Sequence, residues 1–146
     1  KSTHLVRKNK NENTHRIAIR NRNLAGMIID LGITKTKSLT FSPTKEMCES
    51  NSFWRGMIDG DGCIHISKGQ KYFTIMGNRL LVEKIQEILI KQCNLKENPI
   101  RVSHRCKNNI VEFRYGGNKI CLKIFNYLYK NANVFLKRKF EKFKYD

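Results

Sequence analysis

The chain is 146 residues long, 40% hydrophobic and 28% charged, with 29 Lys and Arg against 12 Asp and Glu for a net charge of +17. That length fits one domain with a real core, and the apolar share excludes a disordered chain. So large a positive excess repels itself in a compact fold and attracts a polyanion, most commonly nucleic acid; an enzyme acting on nucleic acid and a scaffold that neutralises RNA both fit.

Residues 1–13, KSTHLVRKNKNEN, are polar and basic and run into a turn. In THRIAIRN, Ile17 and Ile19 alternate with polar neighbours, which predicts a short strand. In NLAGMIIDLGI, Leu24, Met27, Ile28 and Leu31 recur at helical spacing, and Gly32 can close the helix. Basic KTKSLTFSP leads through Pro43 to a second helix start. Asn51 or Ser52 can cap a helix from Phe53 to about Asp59. Asp61 then falls just beyond the helix end, where Gly60 and Gly62 permit an unusual turn that leaves its carboxylate uncovered.

CIHISK (63–68) reads as a strand, Gly69 and Gln70 as a turn and KYFTIM (71–76) as the hairpin partner. RLLVEKIQEILIKQ (79–92) places Leu81, Ile85 and Ile88 on one face, an amphipathic helix. PIRVSHR (99–105) and NIVEFRY (109–115) form a second hairpin around Lys107-Asn108-Asn109. A helix follows from about Lys119 to Tyr129, and basic FLKRKFEKF (135–143) comes after it, its phenylalanines read as core anchors. The fold class is α+β: one antiparallel four-stranded sheet with helices covering one face.

With Ile64 and Ile66 turned to the core, Cys63, His65 and Ser67 face outward, with Lys68 at the strand end. Tyr72 and Thr74, then Arg101, Ser103 and Arg105, then Glu112 and Arg114 extend the same face, and Lys107 stands in the turn. Such a mixture suits reading base edges and touching flanking phosphates. An ordinary solvated sheet face has the same alternation.

The five cysteines form no C-x-x-C pair, which argues against a disulfide framework or a closed zinc site. A reducing intracellular compartment is the default, an organelle matrix included, and no apolar run reaches transmembrane length, so no membrane partner is expected. The first residue is Lys1 rather than Met, so the true N-terminus is expected to have been removed or to lie upstream.

The stretch FWRGMIDGDGCI (53–64) carries the most information. Gly56 and Gly60 are four apart, hence on one helix face, where missing side chains let another helix approach. A calcium loop opening at Asp59 is excluded, because Cys63, Ile64 and Gln70 stand where an oxygen ligand, a glycine and a glutamate are required. The stretch resembles the signature of the LAGLIDADG homing endonucleases. Trp54 to Gly62 occupy the nine motif positions in turn, with Gly56, Ile58, Asp59, Asp61 and Gly62 matching the family letters and Trp54 and Arg55 departing from them. LKRKF (136–140) resembles the family's basic segment near the active site.

That resemblance implies an αββαββα repeat over 42–146 with a saddle-shaped sheet, preceded in 1–41 by the closing strand, helix and connector of an earlier repeat. It implies two motif helices packed through their small residues, Gly56 and Gly60 here. Each helix delivers an acid to shared divalent cations, normally Mg²⁺. Asp61 would be this repeat's acid, the Gly60 carbonyl a further metal ligand, Lys139 the basic catalytic residue, and Asp59 a structural group. Lys37 could serve the partner half. A single carboxylate is a poor site for two metals, so a second repeat or subunit has to complete the site. The implied function is site-specific cleavage of duplex DNA by a protein encoded in an intron or as a free-standing mobile gene. The alternative is a non-catalytic derivative that binds structured RNA or a ribonucleoprotein, as a splicing maturase or ribosome-associated scaffold.

Overall fold

The computed structural model describes residues 3–8, 15–33, 40–103 and 110–144, the side chains of 3–8 and 15–17 excepted. Its contacts divide the chain into two compact units, Lys1–Lys35 and Thr36–Asp146.

In the first unit β1 (Thr3–Lys8) pairs antiparallel with β2 (His15–Arg20), from Thr3 opposite Arg20 to Lys8 opposite His15. β1 lies in the segment read from sequence only as polar, basic and running into a turn. Leu5 and Val6 are adjacent, so no period-two pattern announces the strand, and the backbone pairing with β2 decides it. Helix α1 (Arg22–Asp30) is capped by Asn21, whose side chain accepts from the Leu24 amide at 3.1 Å. None of its residues is buried, and Leu24, Met27, Ile28 and Leu31 are exposed.

The second unit opens with α2 (Lys45–Glu49), capped by Thr44, and α3 (Asn51–Asp61), capped by Ser50 through the Phe53 amide at 3.2 Å. Its cap lies one residue before those the sequence suggested, and Asp61 is the last helical residue rather than the first beyond the end. Gly62 has an ordinary extended backbone, φ −72°. It is needed for space, since a Cβ there would lie 2.7 Å from the Ile58 carbonyl oxygen. β3 (Cys63–Ser67) and β4 (Gln70–Gly77) pair with Ser67 opposite Gln70. The turn is therefore Lys68-Gly69, one residue earlier than expected, and both residues have positive φ, at 50° and 72°. A tight hairpin of right-handed strands favours that conformation.

Helix α4 (Arg79–Cys93) starts at Asn78, whose side chain accepts from Leu81 at 2.9 Å, and stops at Asn94 in the left-handed conformation. β5 (Arg101–Val102), β6 (Val111–Gly116), α5 (Asn118–Tyr129) and α6 (Lys137–Lys144) complete the unit. The sheet is antiparallel in the order β3-β4-β6-β5, and from α3 onward the elements run αββαββα, with α6 following. Ile64, Phe73, Ile75, Val111, Phe113 and Tyr115 form the buried face of the sheet. Trp54 and Ile58 of α3, Val82, Ile85 and Leu89 of α4, and Ile124 and Leu128 of α5 complete the core, each buried side chain contributing roughly 1.5–3 kcal/mol. Ile66 was expected in this core and is 53% exposed, because it stands near the hairpin end of the edge strand β3. Phe41 is buried in this unit, its carbonyl accepting from Asn78 Nδ2 at 3.0 Å. Among the described residues, no helix is long and apolar enough to cross a membrane.

Candidate active site and nucleic-acid face

Helix α3 has two unlike faces. Trp54 and Ile58 are wholly buried, and the Trp54 indole donates to the Cys48 carbonyl at 2.9 Å. Gly56 and Gly60 are exposed, and a Cβ built on either would meet nothing within 4 Å among the described residues. Glycine at an exposed helical position costs about 1 kcal/mol relative to alanine. The fold of this unit does not itself require either glycine.

The start of α3 is fastened to the end of α5. Arg55 donates to the carbonyls of Val134 and Leu128, each at 2.9 Å, and to the Ser52 hydroxyl at 3.0 Å, while Asn51 Nδ2 donates to the Tyr127 carbonyl. On sequence Arg55 is a residue facing solvent or phosphate; here its guanidinium serves as a brace. Asp59 is equally engaged: Oδ1 accepts from the Tyr129 hydroxyl at 2.6 Å and Oδ2 from the Leu136 amide at 2.8 Å. Burial, and then the hydrogen bond to Asp59, raise the Tyr129 phenol far above the ordinary tyrosine range. Nothing in the sequence signals these pairings, which join residues 70 or more apart. Ser52, Arg55, Gly56, Asp59, Val134, Phe135 and Leu136 line an open cleft of about 620 Å³ beside the bare glycine face.

Asp61 stands exposed at the last position of α3, and among the described residues it makes no hydrogen bond or ion pair. Lys139 approaches the same turn from inside. It is only 4% exposed, and its ammonium donates to the carbonyls of Ile58 at 2.7 Å, Gly62, and Gly60 at 3.4 Å. A cation at the carbonyl end of a helix meets the negative end of its dipole. Burial, with the Arg138 charge beside it, lowers the Lys139 pKa, while Asp59, Cys63 and Asp61 act the other way. An aromatic cluster of Phe125, Tyr129, Phe135, Phe140 and Phe143 fixes α6 and hence this lysine, with Phe135 and Phe140 stacked at 4.3 Å. A second buried lysine, Lys71, donates to the Phe143 carbonyl at 2.9 Å and was not foreseen. Among the described residues, no group of three His, Cys, Asp or Glu side chains could hold a metal ion. Burial raises the Cys93 and Cys121 thiols to about 11, which marks them as core groups.

On the outward face of the sheet, His65 and Tyr72 stack with ring centroids 4.9 Å apart. The Arg114 guanidinium lies over the Tyr72 ring at 4.4 Å and donates to His65 Nε2 at 2.5 Å. Thr74 is directly opposite Arg114, and Ser67, Lys68 and Arg101 are exposed. Ser103 differs from expectation: it is 1% exposed, its amide bonded to the Ile110 carbonyl and its hydroxyl without a partner among the described residues. β5 ends at Val102, so the alternation that would have turned Ser103 outward does not continue. Arg105, Lys107 and Lys37 lie outside the described residues.

No family model matches the chain, and no curated protein does. Among solved structures, the chain is similar to the homing endonuclease I-CvuI in complex with its target in the presence of Ca, at 17% identity and a TM-score of 0.47 over 69% of this chain and 65% of that one. A second I-CvuI complex, with the I-CreI target in Mg and its DNA not cleaved, gives 16% and 0.46. The LAGLIDADG meganuclease I-AabMI bound to uncleaved DNA gives 27% and 0.43 over 58% of this chain and 30% of that one. The chain thus spans less than two thirds of each of these proteins.

Proposed function

We propose that this chain is one half of a site-specific, metal-dependent endonuclease acting on duplex DNA, completed by a second LAGLIDADG-type repeat or subunit. The observation that carries this reading is the contrast on α3: Asp59 is wholly engaged, while Asp61 ends the helix exposed and without a hydrogen bond among the described residues. In a protein of charge +17 built to hold a polyanion, a bare carboxylate at that point weakens binding unless a cation offsets it. The Asp61 carboxylate and the Gly60 carbonyl are hard oxygen donors and fit Mg²⁺, which takes few protein ligands and fills its shell with water and phosphate. When bound, the ion supplies charge neutralisation at the phosphate and a more acidic attacking water.

The other parts act on position. Arg55 and Asp59 brace α3 against the 128–136 segment, and Lys139 holds its last turn by the carbonyls. Lys139 therefore acts on Asp61 through the backbone. The bare face of Gly56 and Gly60 would receive the second motif helix, bringing a second acid beside Asp61. His65, Ser67, Lys68, Tyr72, Thr74, Arg101 and Arg114 would face the duplex, with Arg105 and Lys107 continuing that face. Residues 1–41 would be the tail of the preceding repeat.

The test is cleavage of a randomised duplex library by this chain in Mg²⁺ and in Ca²⁺, with its molar mass measured in parallel. Cleavage in Mg²⁺ by a dimer of this chain, or by the chain joined to a second repeat when the mass shows a monomer, that disappears in Asp61→Asn is the expected result. A monomer that cuts nothing yet binds structured RNA more tightly than duplex DNA would overturn it in favour of the RNA-binding derivative.

A further inference from the structure

Three side chains on the outward sheet face form a preassembled unit. Tyr72 lies opposite His65 on one side and Gly116 on the other. A Cβ at Gly116 would sit 2.8 Å from the Tyr72 ring, so the ring occupies space that only glycine leaves. His65 stacks on that ring at an interplanar angle of 13°. Arg114 covers it at 4.4 Å and donates through Nη2 to His65 Nε2, which assigns His65 the tautomer carrying its proton on Nδ1. The backbone beneath is held as well, the Arg114 carbonyl accepting from Asn98 Nδ2 at 2.6 Å. Arg114 Nε and Nη1 make no hydrogen bond among the described residues, and the second N–H of Nη2 completes a two-toothed edge with one of them.

We propose that His65, Tyr72 and Gly116 are a seat that holds the Arg114 guanidinium ready for bidentate recognition of one guanine in the major groove of a duplex. This rests on the duplex-binding reading above and adds a ligand and three positioning residues to it. A planar fork matches guanine O6 and N7, and a fork already ordered loses less entropy on binding than a free arginine. Place in the sheet favours a base over a phosphate. Arg114 and Tyr72 belong to β6 and β4, the two inner strands, whereas Lys68 in the hairpin turn and Arg101 on edge strand β5 stand at the rim where backbones pass.

The test is selection from a randomised duplex library in Ca²⁺, followed by affinities for single-pair replacements in the enriched site. For the wild type, replacing one G·C pair should weaken binding by roughly 5- to 150-fold. Arg114→Lys should erase that preference while changing other positions little. His65→Leu should weaken the preference, and His65→Gln, whose Oε1 reaches about where Nε2 stood, should restore it. A uniform loss across all sequences in Arg114→Lys would make the contact a phosphate contact and overturn the proposal; so would a preference indifferent to His65→Leu. Nitrogen resonances of the Arg114 guanidinium in the free protein separate the two layers. Hindered Nη rotation that is lost in His65→Leu supports the seat independently of DNA, and free rotation in the wild type refutes it. Failure of the wild type to enrich any duplex, with the rotation hindered, would instead refute the duplex reading and the guanine assignment with it.

Discussion

Asp59 and Asp61 are two residues apart on one helix, so their carboxylates point to nearly opposite sides of it. One side is occupied by Tyr129 and the Leu136 amide, the other is open. Substitution should separate the two roles. Asp61→Asn should abolish cleavage and leave stability within about 0.5 kcal/mol by urea titration, as exposed positions do. Asp59→Asn places an amide donor against a donor and should cost about 1–3 kcal/mol. Tyr129 gives a pH test of the same contact. Its folded pKa is raised, so its contribution is complete below about pH 10, the unfolded tyrosine value, and is lost as pH rises beyond that. Tyr129→Phe should lower stability at pH 7 and make its decline from pH 9 to 11 shallower; an unchanged slope would contradict the contact. Tyr115 and Tyr127 are raised too, so part of the slope remains. The acids themselves are visible in the string Asp-Gly-Asp-Gly, whereas the partner of each is far away in sequence and appears only on folding.

At the scale of elements, α3 is the informative one. Its glycines leave open space and its C-terminal carbonyls converge on a buried ammonium. Gly56→Ala and Gly60→Ala should each stabilise the isolated chain by roughly 0.5–1 kcal/mol, because a helical glycine is replaced where nothing is hit. If a second motif helix packs there, the same changes should reduce cleavage and association. Thermal unfolding and molar mass measured on the same variants decide between these outcomes, and a stabilised variant that still cuts normally would remove the proposed helix contact. Gly62→Ala should destabilise, since its Cβ would collide with the Ile58 carbonyl. Most elements were legible because apolar spacing is a local signal; Thr44, Asn78 and Asn94 mark helix ends by equally local chemistry, but the sequence reading did not single them out. β1 and the Lys68-Gly69 turn were not, because register and backbone pairing are properties of two strands rather than one.

For the whole molecule, the charge of +17 predicts duplex binding that weakens steeply with salt. A face making six to ten phosphate contacts would lose about 10³–10⁵ in affinity between 50 and 200 mM salt. A shallow dependence measured by titration would mean that the excess charge is not directed at phosphate. The sequence by itself determined the α+β order, the amphipathic helices, the exposed acid at the end of a glycine-bearing helix and the attraction to a polyanion, all of which follow from residue type and spacing along one segment. Only the tertiary structure decided that Arg55 braces rather than binds, that Lys139 grips the carbonyls behind Asp61, that Ser103 is buried, and that His65, Tyr72 and Arg114 form one unit. Those outcomes depend on which distant segments meet, and a carbonyl, a ring face or a cavity attracts a long polar side chain only once packing has placed it within reach.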